Sequence, residues 1–264
     1  MGPFSATPSS VGLLFIITIS AATLLSLLPL ASSIPFIVLH GIGDECKSGK
    51  VSHFTQMVAN LSGSPGFCLE VGNGYWDSWF VPMKKQAEMV CNNVKTIDEL
   101  SNGYNIVGLS QGNLVSRAVI EFCEDGPPDH LAPSGYLKLP DDMSAYLSKS
   151  KFLPQLNNEH PEARNPTFKQ RFRSLKNLVL IMFEEDEVIV PKETAWFGFY
   201  PDGEFSPVLP VQQTRLYQED WIGLKQMNEE GRVQFVKVPG GHLGISDSDL
   251  KQYVIPHLLP AAAH

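Results

Sequence analysis

The sequence feature that most constrains the fold is a serine placed between an apolar strand and an amphipathic helix. Residues 104–109 form a short apolar run after the turn-forming pair Asn102-Gly103, and Ser110 follows at once. Beyond Ser110, apolar side chains recur at three- and four-residue spacing as far as Phe122, which predicts a helix with one buried face. Residues 108–112 read Gly-Leu-Ser-Gln-Gly, the Gly-x-Ser-x-Gly pattern of a sharp strand-to-helix turn that exposes a nucleophilic serine. An ordinary glycine-rich helix start is the alternative interpretation.

Strand and helix patterns alternate along the rest of the chain. Four further apolar runs have the length and composition of buried parallel strands: 34–39, 67–71, 178–183 and 233–238. Helices are predicted at 52–61, at 83–100 and after Asp247, which we interpret as the N-cap of a closing helix. This alternation predicts an α/β fold with a mostly parallel sheet and helices on both faces.

The N-terminus differs in kind from the rest of the chain. Residues 11–30 are almost wholly apolar, the small residues Ala31, Ser32 and Ser33 follow, and the first charged side chain is Asp44. This pattern predicts a signal peptide at 1–33 and a mature domain at 34–264. An uncleaved signal anchor is the alternative, because the apolar run approaches the length that spans a bilayer and no basic residue precedes it.

Composition and cysteine usage narrow the function further. The 264 residues suit one α/β domain, and 20 basic against 28 acidic residues argue against a nucleic-acid partner. The even number of cysteines, without metal-ligand spacing, indicates disulfides in an exported protein: Cys46, Cys68, Cys91 and Cys123. Asn60-Leu61-Ser62 is a glycosylation sequon, so Asn60 is a predicted acceptor.

A serine hydroxyl needs a base to take its proton and an acid to hold that base in the right tautomer. His242 follows the last predicted strand in a glycine-rich loop, where a chain ordered nucleophile, acid, base places its base. His40 also follows a strand but precedes Ser110, so we expect a structural role there. The histidines in polar or terminal stretches are expected to be solvated: His130, His160, His257 and His264.

The acid is expected just after the strand at 178–183, where position alone leaves four candidates open: Glu184, Glu185, Asp186 and Glu187. An oxyanion hole needs two backbone N–H donors. The residue after the nucleophile, Gln111, is the first expected donor, and Ile42, in the loop after the first strand, is the second.

At these residues the chain resembles the palmitoyl-protein thioesterase family of α/β-hydrolases, over nearly all of its length after the signal. Six segments carry the resemblance: His40-Gly41-Ile42-Gly43-Asp44, Gly103-Tyr104-Asn105, Ser110-Gln111-Gly112, Trp196-Phe197-Gly198-Phe199-Tyr200, Gly223-Leu224-Lys225 and Gly241-His242-Leu243. The resemblance implies Asp186 as the acid that works with Ser110 and His242. In this fold the helices bearing Cys91 and Cys123 pack on one face, which with the family predicts that disulfide and leaves Cys46 to pair with Cys68.

The resemblance also implies an activity: hydrolysis of the thioester between a long fatty acyl chain and cysteine in proteins or peptides. No cofactor or metal is implied, and membrane contact is expected only through the acyl substrate or an uncleaved anchor. The compartment implied is a lysosome, a vacuole or the outside of the cell. Two other functions stay open: an oxygen-ester lipase or esterase, and a shortened, impaired isoform or acyl-chain-binding module.

Two departures from the family are visible. Asn113 stands where the family usually has a further glycine, and little effect is expected. The larger departure is that residues 121–177 contain no Val or Ile, so no buried strand can be placed in this shortened, irregular or helical cap region. The family has an apolar strand there, a Gly-Pro-His-type loop and a pair of bonded cysteines.

Loss of that strand predicts one of two outcomes. Either the strand bearing the acid moves over to pair with the nucleophile strand, or a gap leaves backbone groups unpaired. A shift of about 4.8 Å, one strand spacing, would uncouple Asp186 from His242. We therefore expect at most weak activity from this form.

Overall fold

The computed structural model describes residues 33–123 and 132–259 of the chain. The predicted signal peptide, apart from Ser33, lies outside the described residues, as do His130 and His264. Within the two described ranges, no helix is long and apolar enough to cross a bilayer.

Five parallel strands in the described residues form two separately hydrogen-bonded sheets. In the first sheet, β1 (Phe36–Leu39) lies between β2 (Gly66–Leu69) and β3 (Asn105–Gly108). In the second, β4 (Leu178–Phe183) pairs with β5 (Val233–Val238). Parallel pairing brings the carboxyl ends of neighbouring strands to one edge, and the loops at these edges carry the chemistry.

The helices agree with the sequence pattern in most places. Their bounds are α1 (Gly49–Ser62), α2 (Tyr75–Phe80), α3 (Met83–Val94), α4 (Gly112–Phe122), α5 (Met143–Lys149), α6 (Leu153–Leu156), α7 (Pro166–Arg173), α8 (Arg215–Gln218), α9 (Leu224–Glu229), α10 (Asp247–Asp249) and α11 (Ile255–Leu258). A π-helical turn, Leu250–Val254, joins the last two. The predicted N-cap was wrong by one residue: the Ser246 hydroxyl accepts the Asp249 N–H at 3.1 Å, and Asp247 is already helical.

The first sheet is covered by helices on both faces because β1 alternates its side chains between them. Ile37 and Leu39 pack with α3 and α4 on one face. Phe36 and Val38 pack with α1 and the closing helical segments on the other. All four β1 side chains are fully buried. The predicted α/β fold with parallel strands and helices on both sides is confirmed.

The stretch between α4 and β4 holds no strand in its described part, residues 132–177. Short α-helices and 3₁₀ turns occupy it, as the absence of Val and Ile predicts. β3 and β4 do not pair with each other. Of the two outcomes expected from a lost strand, the structure therefore adopts the gap.

A buried pair of titratable residues, Arg117 and Glu121, ties α4 to this region. The Arg117 guanidinium donates to Glu121 at 3.2 Å, to the Asn157 side chain at 3.0 Å and to the Leu156 carbonyl at 3.0 Å. Glu121 is fully buried, and its second carboxyl oxygen has no partner among the described residues. Burial raises the pKa of Glu121 to about 8, although the Arg117 charge opposes this.

The raised pKa predicts how stability changes with pH. Because the folded protein holds the Glu121 proton up to a pH of about 8 and the unfolded chain only up to 4.5, the contribution is complete below 4.5 and is lost as the pH rises toward 8. We expect the melting temperature to fall across this range, and Glu121→Gln, which stays neutral, to flatten the fall. Thermal melts across the range, with exposed Glu88→Gln as the matched control, check this. An unchanged pH slope in Glu121→Gln would contradict it.

Candidate active site

Ser110 lies in a strained turn between β3 and α4. Its backbone has a φ of 53°, in the left-handed region that side chains rarely adopt. The flanking glycines permit the turn, since a Cβ on Gly112 would lie 2.1 Å from the Leu39 carbonyl and one on Gly108 would lie 2.7 Å from the Asn113 Cα. The Asn113 side chain donates to the Ser110 carbonyl at 3.3 Å, so the asparagine fits this turn.

His242 lies in the loop after β5 and contacts both other predicted members of the triad. Its Nε2 is 2.9 Å from Ser110 Oγ, and its Nδ1 is 2.8 Å from Asp186 Oδ2. With the Nδ1 proton donated to the carboxylate, Nε2 is free to accept the serine proton. Three residues distant in sequence thus form a continuous hydrogen-bonded chain.

Asp186 is held by the turn that follows β4. Its Oδ1 accepts the backbone N–H groups of Val188 at 2.9 Å and Ile189 at 3.0 Å. Partial burial works to raise the pKa of Asp186, but the hydrogen bonds from His242, Ile189 and Val188 outweigh it and hold the pKa below its usual range. The carboxylate is therefore charged wherever the imidazole needs a negative partner.

The other three acids of this run have different surroundings. Glu184 pairs with Lys237 at 2.7 Å, and the Glu185 carboxylate accepts the Gly240 N–H. Glu187 is exposed to solvent. Among the four candidates, the structure brings only Asp186 to the histidine.

A shift of one strand spacing would have uncoupled Asp186 from His242, but the structure adopts the gap, and the sheet topology keeps these two residues in contact. Asp186 follows β4 and His242 follows β5, and these strands pair directly along their whole length. Acid and base therefore belong to one sheet, and the gap between β3 and β4 does not separate them. The contact that crosses the gap is the one between His242 and Ser110.

The predicted oxyanion donors lie next to the serine. The loop after β1 approaches Ser110 so closely that a Cβ on Gly41 would be 3.0 Å from the Ser110 Cβ. Neither the Ile42 nor the Gln111 backbone N–H has a hydrogen-bond acceptor within the described part of the chain. Both residues line the same cavity as the serine.

Ser78 in α2, which no sequence motif indicates, ties these two donors together. Its hydroxyl accepts the Gly43 N–H at 2.8 Å, and its carbonyl accepts the Gln111 side chain at 2.8 Å. The Tyr136 hydroxyl donates to the oxygen of the same Gln111 side-chain amide at 2.9 Å. Ser78 is almost fully buried. The aromatic sequence Tyr-Trp-Asp-Ser-Trp-Phe around it gives no periodic signal, so only the folded structure reveals this role.

Two disulfides cross-link the elements that surround the serine. Cys91 bonds to Cys123 and links α3 to the end of α4, while Cys46 bonds to Cys68 and links the loop after β1 to β2. These are the pairs that the resemblance and elimination predicted. Disulfides of this kind form in oxidising compartments, which indicates the secretory pathway.

The remaining predicted residues lie apart from the triad. His40 is buried, 2.8 Å from the Glu70 carboxylate, and accordingly has a structural position. Asn60 is exposed near the end of α1, and His257 lies in α11. His160 precedes a 3₁₀ turn. No group of three or more potential metal ligands occurs among the residues that the structure describes.

A cavity of about 1980 Å³ connects the site with the gap between the two sheets. Ser110, Asp186 and His242 line it at one end. Along its length it is lined by residues of both neighbouring strands, among them Ile106 on β3 and Ile181 on β4. The site therefore opens into a space that extends from the triad along β3 and β4.

A strained serine, a histidine and an aspartate at the carboxyl ends of parallel strands are the features of an α/β-hydrolase. Residues 35–128 and 126–242 match the family model described as palmitoyl protein thioesterase. The chain belongs to this family.

Relatives named as thioesterases are similar over most of the chain. Palmitoyl-protein thioesterase 1 of Caenorhabditis elegans is 31% identical, with 84% of this chain and 90% of the relative aligned. Palmitoyl-protein thioesterase 3 of Dictyostelium discoideum is 29% identical, with 84% of this chain and 89% of the relative aligned. Lysosomal thioesterase PPT2 of Homo sapiens is 26% identical, with 77% of this chain and 80% of the relative aligned.

The comparisons also locate the shortened region. The two family matches meet at residues 126–128, just after α4. The alignment with the nematode relative covers 275 positions, more than the whole chain of 264 residues, although only 84% of the chain takes part. The relative therefore has residues without a counterpart in this chain.

The contacts of Ser78 predict a role in catalysis. Ser78→Ala removes the acceptor of the Gly43 N–H, so the loop bearing Ile42 loses its anchor and the rate constant should fall about 10- to 100-fold, with KM changed less. Steady-state hydrolysis of an S-acyl cysteine checks this. Exposed Ser148→Ala is the control, and a KM effect alone in Ser78→Ala would contradict the prediction.

Proposed function

We propose that this protein hydrolyses the thioester between a long-chain fatty acyl group and a cysteine of a protein or peptide, through an acyl-enzyme on Ser110. The observation that carries the proposal is the continuous hydrogen-bonded chain from Asp186 through His242 to Ser110. Membership of the palmitoyl protein thioesterase family supports the choice of substrate. The proposed location is a lysosome, a vacuole or the outside of the cell; a relative named as lysosomal supports the first, and the two disulfides support the secretory pathway in general.

The geometry supports a two-step reaction. As Ser110 Oγ attacks the thioester carbonyl, its proton passes over 2.9 Å to His242 Nε2, and Asp186 stabilises the imidazolium. The carbonyl oxygen becomes an oxyanion, for which the Ile42 and Gln111 N–H groups are available. The C–S bond then breaks, and the cysteine sulfur leaves with the proton from His242.

Hydrolysis of the acyl-enzyme repeats these proton transfers with water. His242 takes a proton from the water that attacks the acyl carbonyl, and the Ser110–acyl bond breaks as Oγ regains a proton. A free fatty acid leaves, and the enzyme returns to its starting state. Every proton transfer in both steps uses side chains that the described residues supply.

A second candidate function is an acyl-chain-binding protein with impaired catalysis. The gap between β3 and β4 favours it, because the Ser110–His242 contact crosses a region without strand pairing. Labelling with a fluorophosphonate, which reacts only with an activated serine, separates this candidate from the enzyme.

Substitution of the triad gives the most direct test. Ser110→Ala and His242→Ala should each lower the rate by several orders of magnitude, because serine and histidine act as a unit. Asp186→Asn should also be severe, whereas Glu185→Gln, next in sequence, should be mild because its carboxylate bonds to the Gly240 N–H instead. Hydrolysis of an S-palmitoyl peptide and fluorophosphonate labelling check this. Ser110→Ala activity within about tenfold of wild type would refute the assignment.

Substrate chemistry can be tested with one pair of compounds. We expect an S-acyl cysteine peptide to be hydrolysed faster than the same peptide with an O-acyl serine, because the thiolate is the better leaving group. Comparison of kcat/KM for the pair checks this. Faster hydrolysis of the oxygen ester would indicate an esterase or lipase.

A further inference from the structure

The outer edge of β3 carries backbone groups without partners. The Asn105 N–H donates to the Pro35 carbonyl at 2.9 Å and the Leu109 N–H donates to the Leu39 carbonyl at 3.0 Å, so alternate residues from Asn105 onward face β1. Ile106 and Gly108 therefore direct their N–H and C=O groups away from β1. No hydrogen bond satisfies these groups within the described residues.

β4 presents a matching edge. The Leu178 N–H donates to the Arg232 carbonyl at 2.8 Å, which turns Leu178 and every second residue after it toward β5. Val179 and Ile181 accordingly direct their backbone groups to the other side. In the described part of the chain these groups also have no hydrogen-bond partner.

The two edges line one space, here called the interstrand gap: the part of the cavity between Asn105–Gly108 and Leu178–Phe183. Residues of both strands line the cavity, whose volume of about 1980 Å³ exceeds the roughly 300–1,000 Å³ of small-molecule sites. All four β3 residues are only half-buried, as are the first four of β4, whereas β1 is fully buried. The interstrand gap is therefore open along both strands.

An extended polypeptide is the occupant whose chemistry fits both walls. A strand offers N–H and C=O groups alternately to its two sides, as the edges of β3 and β4 require, and this is how β-augmentation works. An acyl chain would leave those groups unpaired. The side chains beside the edges, such as Ile106, Val179 and Ile181, are apolar, so apolar β-branched side chains suit the occupant.

The position of the triad indicates that the polypeptide in the interstrand gap belongs to the substrate. Ser110 follows β3 and Asp186 follows β4, so both lie at the carboxyl end of the interstrand gap. A strand parallel to β3 and β4 runs toward that end, and its next residue arrives beside Ser110. A cysteine on the carboxyl side of an apolar segment would thus bring its thioester to the nucleophile.

On this basis, and resting on the proposed function, we infer that the interstrand gap binds the polypeptide of the S-acylated substrate as an added parallel strand. The enzyme selects acyl-cysteines that directly follow an extended apolar segment. The two family matches meet at residues 126–128, between β3 and β4 in the sequence, and the nematode relative has residues without a counterpart in this chain.

The test compares two S-decanoyl peptides with the same composition. In one, Val-Thr-Val-Ile-Val-Thr precedes the acylated cysteine; in the other, the same six residues follow it. We expect kcat/KM to be at least about tenfold higher for the first peptide, because a few additional backbone hydrogen bonds contribute enough free energy for a factor of this size. N-methylation of every second amide in the six residues should abolish the difference. Equal rates for the two orders, a preference for the second, or a difference that survives N-methylation would overturn the inference.

One pair of variants isolates the backbone contribution. Ile181→Pro removes an N–H that faces the gap and takes no part in the β4–β5 pairing, and edge strands accept proline at such positions. Ile181→Ala removes the side chain but keeps the N–H. The preference for the first peptide should disappear in Ile181→Pro and persist in Ile181→Ala. Its persistence in a folded Ile181→Pro variant would count against strand addition.

A binding measurement separates this inference from the proposed function. Hydrogen exchange on the Ser110→Ala protein, with the unacylated first peptide, should show at least about tenfold protection of the Ile106, Gly108, Val179 and Ile181 amides. Absence of protection in a protein whose wild type hydrolyses N-acetyl-S-decanoylcysteine amide would refute strand addition alone. Protection without hydrolysis by wild type would refute the enzyme and retain the binding site.

Discussion

The two hydrogen bonds of His242 join a site whose parts belong to two separately paired sheets. Ser110 is carried by the first sheet, and Asp186 and His242 by the second. Apolar contacts, and no strand ladder, set the distance between them: Ile245 packs both against the buried cluster that contains Phe36 and Val38 of the first sheet and against the cluster of Phe183, Val236 and Val238 in the second. Such contacts are not directional, so the side-chain hydrogen bond itself must define the final geometry.

Much of the fold follows from pattern alone, because each strand is a short apolar run between turn residues. β4 and β5 have the bounds that their sequences predict, 178–183 and 233–238. The serine and the histidine could be chosen because each follows a strand at a glycine-rich turn. The acid could not be chosen from position, since Glu184 and Glu185 differ from Asp186 only through partners that folding provides.

The features that sequence did not provide depend on contacts between distant parts of the chain. Ser78 contacts Gly43 and Gln111, which lie 35 and 33 residues away. The contact between acid and base also depends on pairing between distant segments. β4 and β5 pair along their whole length and keep Asp186 and His242 in contact, while the gap lies between β3 and β4.

Both disulfides lie in the first half of the chain, and this has a consequence for the order of assembly. The last cysteine, Cys123, precedes every residue of β4 and β5. During synthesis from the N-terminus, both covalent links can therefore close while the second sheet is still inside the ribosome. The elements around the nucleophile can then be cross-linked before β4 and β5 are free to pair. The second sheet, which has no cross-link of its own in the described residues, docks onto a half that is already covalently fixed.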